Sequence, residues 1–279
     1  MHIQIIRRTA QKNRDCGAGV RVSPMDSLSP SAAIICDEIL NAVREAPAVD
    51  LIGLTVGSFW TVVRTGAGTG MASSMRSETH LHDRKPIADA GTLGTRTPHE
   101  LTELLRSDSP PEAAIGLAAV NALLGPTARG LTEEKAVEIL RERGGGKRVA
   151  MIGHFPFADR LREDCGRLWV FERGLNRCDG DLDDEAMERL LPEADVVAVT
   201  ATTLLNRTLP VVLARVRSDA FVMLLGPSTP MTPALHAFGI DVLCGTLIDD
   251  PDRVRRAVEQ GAVTSQITGV RRMCLWRNG

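Results

Sequence analysis

The chain has 279 residues, 43% of them hydrophobic and only 3% aromatic, and its formal net charge is −2. This length favours two domains, and the near-neutral charge argues against nucleic acid as the main partner, because phosphate neutralisation needs a basic surface. No apolar run approaches the roughly 20 residues that span a bilayer, and residues 1–20 lack the apolar stretch of a secretory signal. We therefore expect a cytoplasmic protein without a membrane partner, whose six cysteines stay reduced.

The first 126 residues predict a small α+β unit. A Val-, Ile- and Thr-rich stretch divided by Gly57 and Ser58 indicates a β-hairpin, and residues 65–77 predict a third strand or a loop that faces a site. Thr97, Pro98 and Glu100 form a capping-box pattern. In chain order the predicted elements are a helix over 31–46, the hairpin over 49–64, and helices over 97–107 and 111–124.

Residues 127–279 alternate apolar, β-branched strands with helices, which predicts a parallel, Rossmann-like sheet. Together with the first unit this makes an α/β protein with a smaller N-terminal α+β domain. The predicted strands cover residues 147–153, 167–172, 194–201, 220–225 and 241–245. The predicted helices cover residues 131–143, 183–190, 204–216 and 251–260.

Polar residues follow the carboxyl ends of these strands, where open α/β sheets bind ligands. His154 comes directly after the first strand and is a candidate metal ligand or acid/base, or a histidine that only hydrogen-bonds a neighbouring loop. Glu172 lies 19 residues after Gly153, where Rossmann proteins place a ribose-binding acid; a surface pair with Arg173 is the alternative. The glycine-rich pyrophosphate fingerprint is absent, so a nucleoside-like ligand without a pyrophosphate fits better.

Two later loops carry hydroxyl and amide groups. The candidate ligand-binding residues in them are Thr202, Asn206, Gly226, Ser228 and Thr229. Prolines stiffen the second loop, which favours a preformed pocket for a small polar ligand. The alternative is a tight strand-to-helix turn capped by Thr229 or Thr232. His80 and His82 are two apart, as metal ligands on one strand face would be, but spacing fixes no third ligand and their role stays open.

The chain resembles the bacterial and archaeal family called "putative heavy-metal chelation domain". The resemblance rests on Ile152-Gly-His-Phe-Pro-Phe157, Trp169-Val-Phe-Glu-Arg173, Thr200-Ala-Thr-Thr-Leu-Leu-Asn206 and Leu225-Gly-Pro-Ser-Thr-Pro-Met231, and in the N-terminal part on residues 55–63 and 115–124. It implies an enolase N-terminal-like domain over residues 1–126, a Rossmann-like domain over 127–279, and a site in the cleft between them. It also implies a transition metal, or a small molecule that binds one, as the ligand.

Two hypotheses follow. The first is a protein that binds a metal or metal chelate in the interdomain cleft, with Asn121 or His80 as possible additions to the loop residues above. The second is an enzyme acting on a small polar substrate with a nucleoside- or S-adenosylmethionine-like ligand, in which His154 is the acid/base and Glu172 binds the ribose. The sequence names neither the metal nor a reaction, and it leaves homo-oligomer formation open.

Overall fold

The N-terminal unit is an antiparallel three-stranded sheet packed on helices. The computed structural model describes residues 30–75, 85–125, 128–173 and 177–277; residues 1–20 and the His80–His82 pair, considered above, lie outside them. The strands are β1 (Leu51–Val56), β2 (Trp60–Thr65) and β3 (Thr69–Ser73), and the helices are α1 (Pro30–Asn41), α2 (Pro98–Thr102) and α3 (Pro110–Leu124). The predicted hairpin and the capping box at Thr97 and Glu100 are confirmed, and the third strand is present.

The C-terminal unit is a mostly parallel seven-stranded sheet. Its strands are β4 (Leu131–Thr132), β5 (Arg148–Ile152), β6 (Arg167–Phe171), β7 (Val196–Thr200), β8 (Phe221–Leu225), β9 (Val242–Ile248) and β10 (Val270–Trp276). They lie in the order β4-β10-β9-β8-β7-β5-β6. Strands β5 to β9 pair in parallel, which confirms the predicted fold class, whereas β10 pairs antiparallel with β9 and β4.

Helices cover both faces of this sheet. They are α4 (Ala136–Gly144), α5 (Ala158–Asp164), α6 (Asp184–Leu190), α7 (Thr202–Leu205) and α8 (Leu209–Leu213). A further helix, α9 (Pro251–Glu259), packs on the small antiparallel sheet instead. Short 3₁₀ turns occur at Leu93–Thr95, Glu103–Arg106, Leu191–Glu193, Pro233–Phe238 and Thr264–Gln266. Among the described residues, no helix combines the length and apolar character needed to cross a bilayer.

Two predicted helices are wrong in detail. The helix predicted over 131–143 begins only at Ala136, because Leu131–Thr132 pairs with the edge of the sheet as β4. The helix predicted over 204–216 is two short helices. Arg207 follows the first short helix and has a φ of 60°, a left-handed conformation that an α-helix does not contain. A single helix also cannot run smoothly through Pro210, which lacks an amide hydrogen.

The two units share one continuous hydrophobic core. It includes Ile115 and Leu117 of α3 as well as Val199 and Leu224 of the parallel sheet. A second contact joins α9 to the small sheet, where Val254 and other buried side chains pack together. A ligand site between the units would therefore have to open this packing. The domain boundary near residue 126 stays a prediction.

Candidate metal centre

The turn after β5 places His154 at the carboxyl edge of the sheet. Gly153 donates its backbone N–H to the carbonyl of Phe171 (2.8 Å), so pairing with β6 extends one residue beyond the strand. Its φ is 97°, a conformation that glycine adopts without the steric cost of a side chain. The chain then turns and directs His154 toward the segment that follows β6.

That segment returns to the sheet through Leu182, which forms a bridge with Phe171. This return buries Asp181, whose side chain is 0% exposed. Its carboxylate accepts hydrogen bonds from the backbone N–H of Cys178 (2.9 Å) and from Nδ1 of His154 (2.9 Å). A buried carboxylate needs such partners, because leaving water costs several kcal/mol per charge.

Three different donor atoms meet here. One ligand atom each from His154, Cys178 and Asp181 can be chosen so that all three lie within 4.8 Å of one another. The His154 side chain is 22% exposed and Cys178 is exposed, so an ion has access from solvent. Imidazole, thiolate and carboxylate together suit zinc and neighbouring transition metals, at metal–ligand distances of about 2.0–2.3 Å.

Glu172 supports His154 rather than facing outward. One carboxylate oxygen accepts the backbone N–H of His154 (2.8 Å), and the other accepts that of Arg173 (2.7 Å). The guanidinium of Arg173 instead bonds Asp184 (2.8 Å). The prediction that Glu172 binds a ligand stays a prediction; in this structure its two oxygens hold the backbone of the turn that carries His154.

The loop after β7 borders this turn. A Cβ added at Gly153 would lie 2.9 Å from Cγ2 of Thr200, and the hydroxyls of Thr200 and Thr202 are 3.1 Å apart. Asn206 is exposed, and its side-chain oxygen accepts hydrogen bonds from the amide (3.2 Å) and hydroxyl (2.6 Å) of Thr208. The hydroxyl of Thr202 thus contacts Thr200, which lies against the turn that carries His154. Asn206 instead supports the start of α8.

The loop after β8 docks the two units together. Gly226 has a φ of 124°, and Ser228 and Thr229 are each 2% exposed. The hydroxyl of Ser228 accepts the backbone N–H of Ser73 in β3 (2.8 Å). The hydroxyl of Thr229 is buried and has no hydrogen-bond partner among the residues that the structure describes. Both hydroxyls are thus enclosed at the interface.

Of the two capping residues considered for that loop, Thr232 is the one observed. Its hydroxyl accepts the N–H of Ala234 at the start of the Pro233–Phe238 turn. The carbonyl of Ser228 also accepts a hydrogen bond from the side-chain amide of Asn121 (3.3 Å). Asn121, which was considered above as an addition to the ligand site in the cleft, therefore forms a contact between the two units.

Two cavities, of about 290 and 400 Å³, lie at the amino ends of the parallel strands, away from the metal centre. Charged side chains line both, and several of these pair with one another: Arg148 with Asp195 (3.1 Å) and Arg217 with Asp219 (2.8 Å). The hydrogen bonds from Arg148 hold the pKa of the Asp195 carboxyl at about 2. These groups are satisfied by internal ion pairs.

The comparisons with known proteins agree with this architecture. Two family models, DUF364 and DUF4213, both described as "Putative heavy-metal chelation", match residues 135–277 and 37–124. The chain belongs to the DUF364 family. The cluster of His154, Cys178 and Asp181 lies within the DUF364 match.

Three similar proteins are described as uncharacterised or of unknown function. Protein MJ0500 of Methanocaldococcus jannaschii is 35% identical over 150 residues, which are 51% of this chain and 57% of the relative; the match thus spans little more than half of that protein. A crystal structure of a DUF364 protein of unknown function from Desulfitobacterium hafniense has a TM-score of 0.74 and 27% identity, over 88% of this chain and 98% of that one. A DUF364 structure from Pyrococcus horikoshii has a TM-score of 0.72 and 19% identity, over 87% and 99% of the two chains, and shows the shared fold.

The sequence prediction named His154 but not Cys178 and Asp181, which the structure brings beside it. The available signal was the Cys-x-x-Asp spacing of Cys178 and Asp181 in the loop that follows β6. A cysteine and an acid three residues apart are common in loops. Their closeness to His154 depends on the return of the chain at Leu182, which is not visible in the spacing.

Proposed function

We propose that this DUF364 protein binds a transition metal ion, alone or as a complex with a small chelator, at His154, Cys178 and Asp181. The observation that carries the proposal is the convergence of three chemically different donor atoms within 4.8 Å, from two separate loops. The family description as heavy-metal chelation agrees with it.

The donor set favours particular metals. A thiolate and a carboxylate together neutralise a divalent ion, and a neutral imidazole adds a donor of intermediate softness. Thiolate is a poor ligand for Mg²⁺ and Ca²⁺, which prefer shells made of oxygen. We therefore expect Zn²⁺, Co²⁺ and related ions to bind, and the alkaline-earth ions not to compete.

Binding exchanges a hydrogen bond for coordination. Without metal, the contact between Nδ1 of His154 and Asp181 (2.9 Å) needs a shared proton. Metal ligation requires deprotonated donors, so binding releases protons. Glu172 accepts the backbone N–H of His154 and keeps the histidine near the loop while this exchange takes place.

Three protein donors leave room for a ligand from solution. Zinc centres that keep a fourth position open bind water or a substrate group there. The guanidinium of Arg177 donates two hydrogen bonds to the backbone carbonyl of Asp181 (2.9 and 3.1 Å), which brings positive charge beside the cluster. A metal bound to a small anionic chelator fits this surrounding.

The alternative, an enzyme with a nucleoside- or S-adenosylmethionine-like ligand, ranks below metal binding. It required Glu172 to bind ribose hydroxyls, and both of its oxygens accept backbone hydrogen bonds here. Tighter binding of either compound to wild type than to Glu172→Ala, measured by calorimetry, would reverse this ranking.

The test is a Co²⁺ titration of the metal-free protein, followed by absorption spectroscopy. Wild type is expected to bind one equivalent with a thiolate-to-cobalt charge-transfer band, which Zn²⁺ abolishes by competition. Cys178→Ser should lose that band, and Asp181→Asn should weaken binding by at least about tenfold. Cys165→Ser is the matched control, because Cys165 is half-buried in another part of the unit and should leave the spectrum unchanged. A Cys178→Ser spectrum equal to that of wild type, or no Co²⁺ bound by wild type, would overturn the proposal.

A further inference from the structure

Two other cysteines face each other in the core of the parallel unit. Cys244 of β9 and Cys274 of β10 are directly opposed in the antiparallel register, and their sulfur atoms are 2.7 Å apart. Both side chains are buried. Opposed positions on neighbouring antiparallel strands bring Cβ atoms to about 4.5–5.5 Å, so a small adjustment reaches the separation that a disulfide needs.

We propose that Cys244 and Cys274 are an oxidisable dithiol that forms a cross-strand disulfide with a small disulfide oxidant such as oxidised glutathione. One protein thiolate attacks the oxidant, breaks its S–S bond and releases one glutathione thiol. The second protein thiolate then attacks the mixed disulfide, forms the protein S–S bond and releases the second glutathione thiol. Two protein thiols are oxidised and one external disulfide is reduced, so atoms and electrons balance.

The reaction needs local opening, and the structure shows where. Cys274 pairs with Thr132 of β4, which has only two residues and forms the outer edge of the sheet. The sulfur of Cys274 is 3.7 Å from the carbonyl of Glu134, just beyond that strand. The neighbouring Cys274 thiol and burial raise the pKa of Cys244, so little thiolate is present near neutral pH. Oxidation is therefore slow until β4 lifts.

The bond would constrain the contact between the two units. The segment closed by the disulfide runs from residue 244 to 274 and contains α9. Val254 and Val258 of α9 pack against Trp60, Val62 and Met71 of the small sheet. Closing this segment lowers the entropy of the unfolded chain, so oxidation should raise the free energy of unfolding of the region that includes this contact.

The experiment treats the whole protein with oxidised glutathione, blocks remaining thiols in denaturant and digests it with trypsin without reduction. The expected product links the peptide of residues 218–253 to that of residues 273–277, and the link disappears on reduction. The Tm should rise on oxidation by on the order of 5–10 °C. Peptide mapping of wild type needs no variant, so a substitution that impairs folding does not affect this test.

Cys244→Ala should abolish both the link and the rise in Tm, whereas Cys165→Ala should keep both, because Cys165 lies elsewhere. Recovery of Cys244 and Cys274 as separately blocked thiols after full exposure to the oxidant would overturn the proposal. So would a linked product whose Tm equals that of the reduced protein.

Discussion

A single methyl group added at Gly153 tests how the turn before His154 is built. The φ of 97° at Gly153 is one that side chains with a Cβ rarely adopt. An added Cβ would also lie 2.9 Å from Cγ2 and 3.0 Å from Cβ of Thr200. We predict that Gly153→Ala lowers the free energy of unfolding through two separable effects, backbone strain and overpacking against Thr200.

The two contributions can be sized separately. Holding a non-glycine residue at such a φ costs about 1–3 kcal/mol, and overpacking a tight contact costs about 1–3 kcal/mol more. Thr200 lies at the end of a strand and can give by a few tenths of an ångström, so we expect a total of about 2–4 kcal/mol. Domains typically have about 5–15 kcal/mol of stability, so the variant should still fold.

Gly226 provides the matched control. It also follows a parallel strand and has a φ of 124°, but a Cβ added there would meet no atom of the described residues within 4 Å. Gly226→Ala therefore measures the backbone term alone, about 1–3 kcal/mol. Urea denaturation should show Gly153→Ala to be the more destabilised by about 1 kcal/mol. Because His154 follows directly, Gly153→Ala should also weaken Co²⁺ binding, while Gly226→Ala should not.

The contact with Thr200 is checked in a double-mutant cycle. Thr200→Ser removes Cγ2 and keeps the hydroxyl that hydrogen-bonds Thr202 (3.1 Å). In that background Gly153→Ala should cost about 1 kcal/mol less than in wild type. Equal costs in the two backgrounds, or equal costs for Gly153→Ala and Gly226→Ala, would refute the packing of the two turns described here.

Three further predictions concern an ion pair and two hydroxyl groups that hold the frame of the protein. Arg148 hydrogen-bonds Asp195 and lowers the pKa of that carboxyl from 3.8 to about 2, so its stabilisation is present above pH ~4 and is lost as pH falls toward 2. Asp195→Asn should therefore cost about 1 kcal/mol near neutral pH, allowing for solvent screening, and the difference from wild type in urea titrations should disappear in acid. Ser228→Ala should cost about 1–2 kcal/mol, because the N–H of Ser73 loses its acceptor. Thr229→Val should be neutral or stabilising in thermal unfolding, because that hydroxyl is buried and has no partner in the described part of the chain. A Thr229→Val variant less stable than Ser228→Ala would contradict the docking contact.

The parallel strands were predictable because each is a short, buried, β-branched run, and burial of both faces imposes that composition. The last strand was not predicted. β10 combines exposed Arg271 and Arg272 with buried Met273 and Cys274, so its pattern is neither continuous nor cleanly alternating. The helix over 204–216 failed for a local reason, since a left-handed Arg207 ends the first helix and sequence patterns do not reveal such a residue.

The site was predictable only in part, and the reason is physical. A position after a parallel strand is a reliable place for a functional side chain, and His154 followed from that rule. Asp181 was not foreseen because its role depends on burial, which arises when the chain returns to β6 at Leu182. Glu172 was expected to bind a ligand, but here its carboxylate accepts backbone N–H groups, because a carboxylate near a turn is as readily engaged by the backbone as by a ligand.

The buried state of Asp181 bears on which ions the centre can hold. Its carboxylate already accepts hydrogen bonds from His154 and from the N–H of Cys178. The free energy of binding an ion must therefore exceed the free energy of the hydrogen bonds that the ion displaces. A hard ion that binds only the carboxylate would give up its water for a single new ligand, and would leave Nδ1 of His154 without its partner. An ion that also takes the imidazole and the Cys178 thiolate gains two bonds in exchange. The selectivity that we propose for this cluster therefore depends on the internal hydrogen bonds that a metal would have to replace, as well as on the donor atoms themselves.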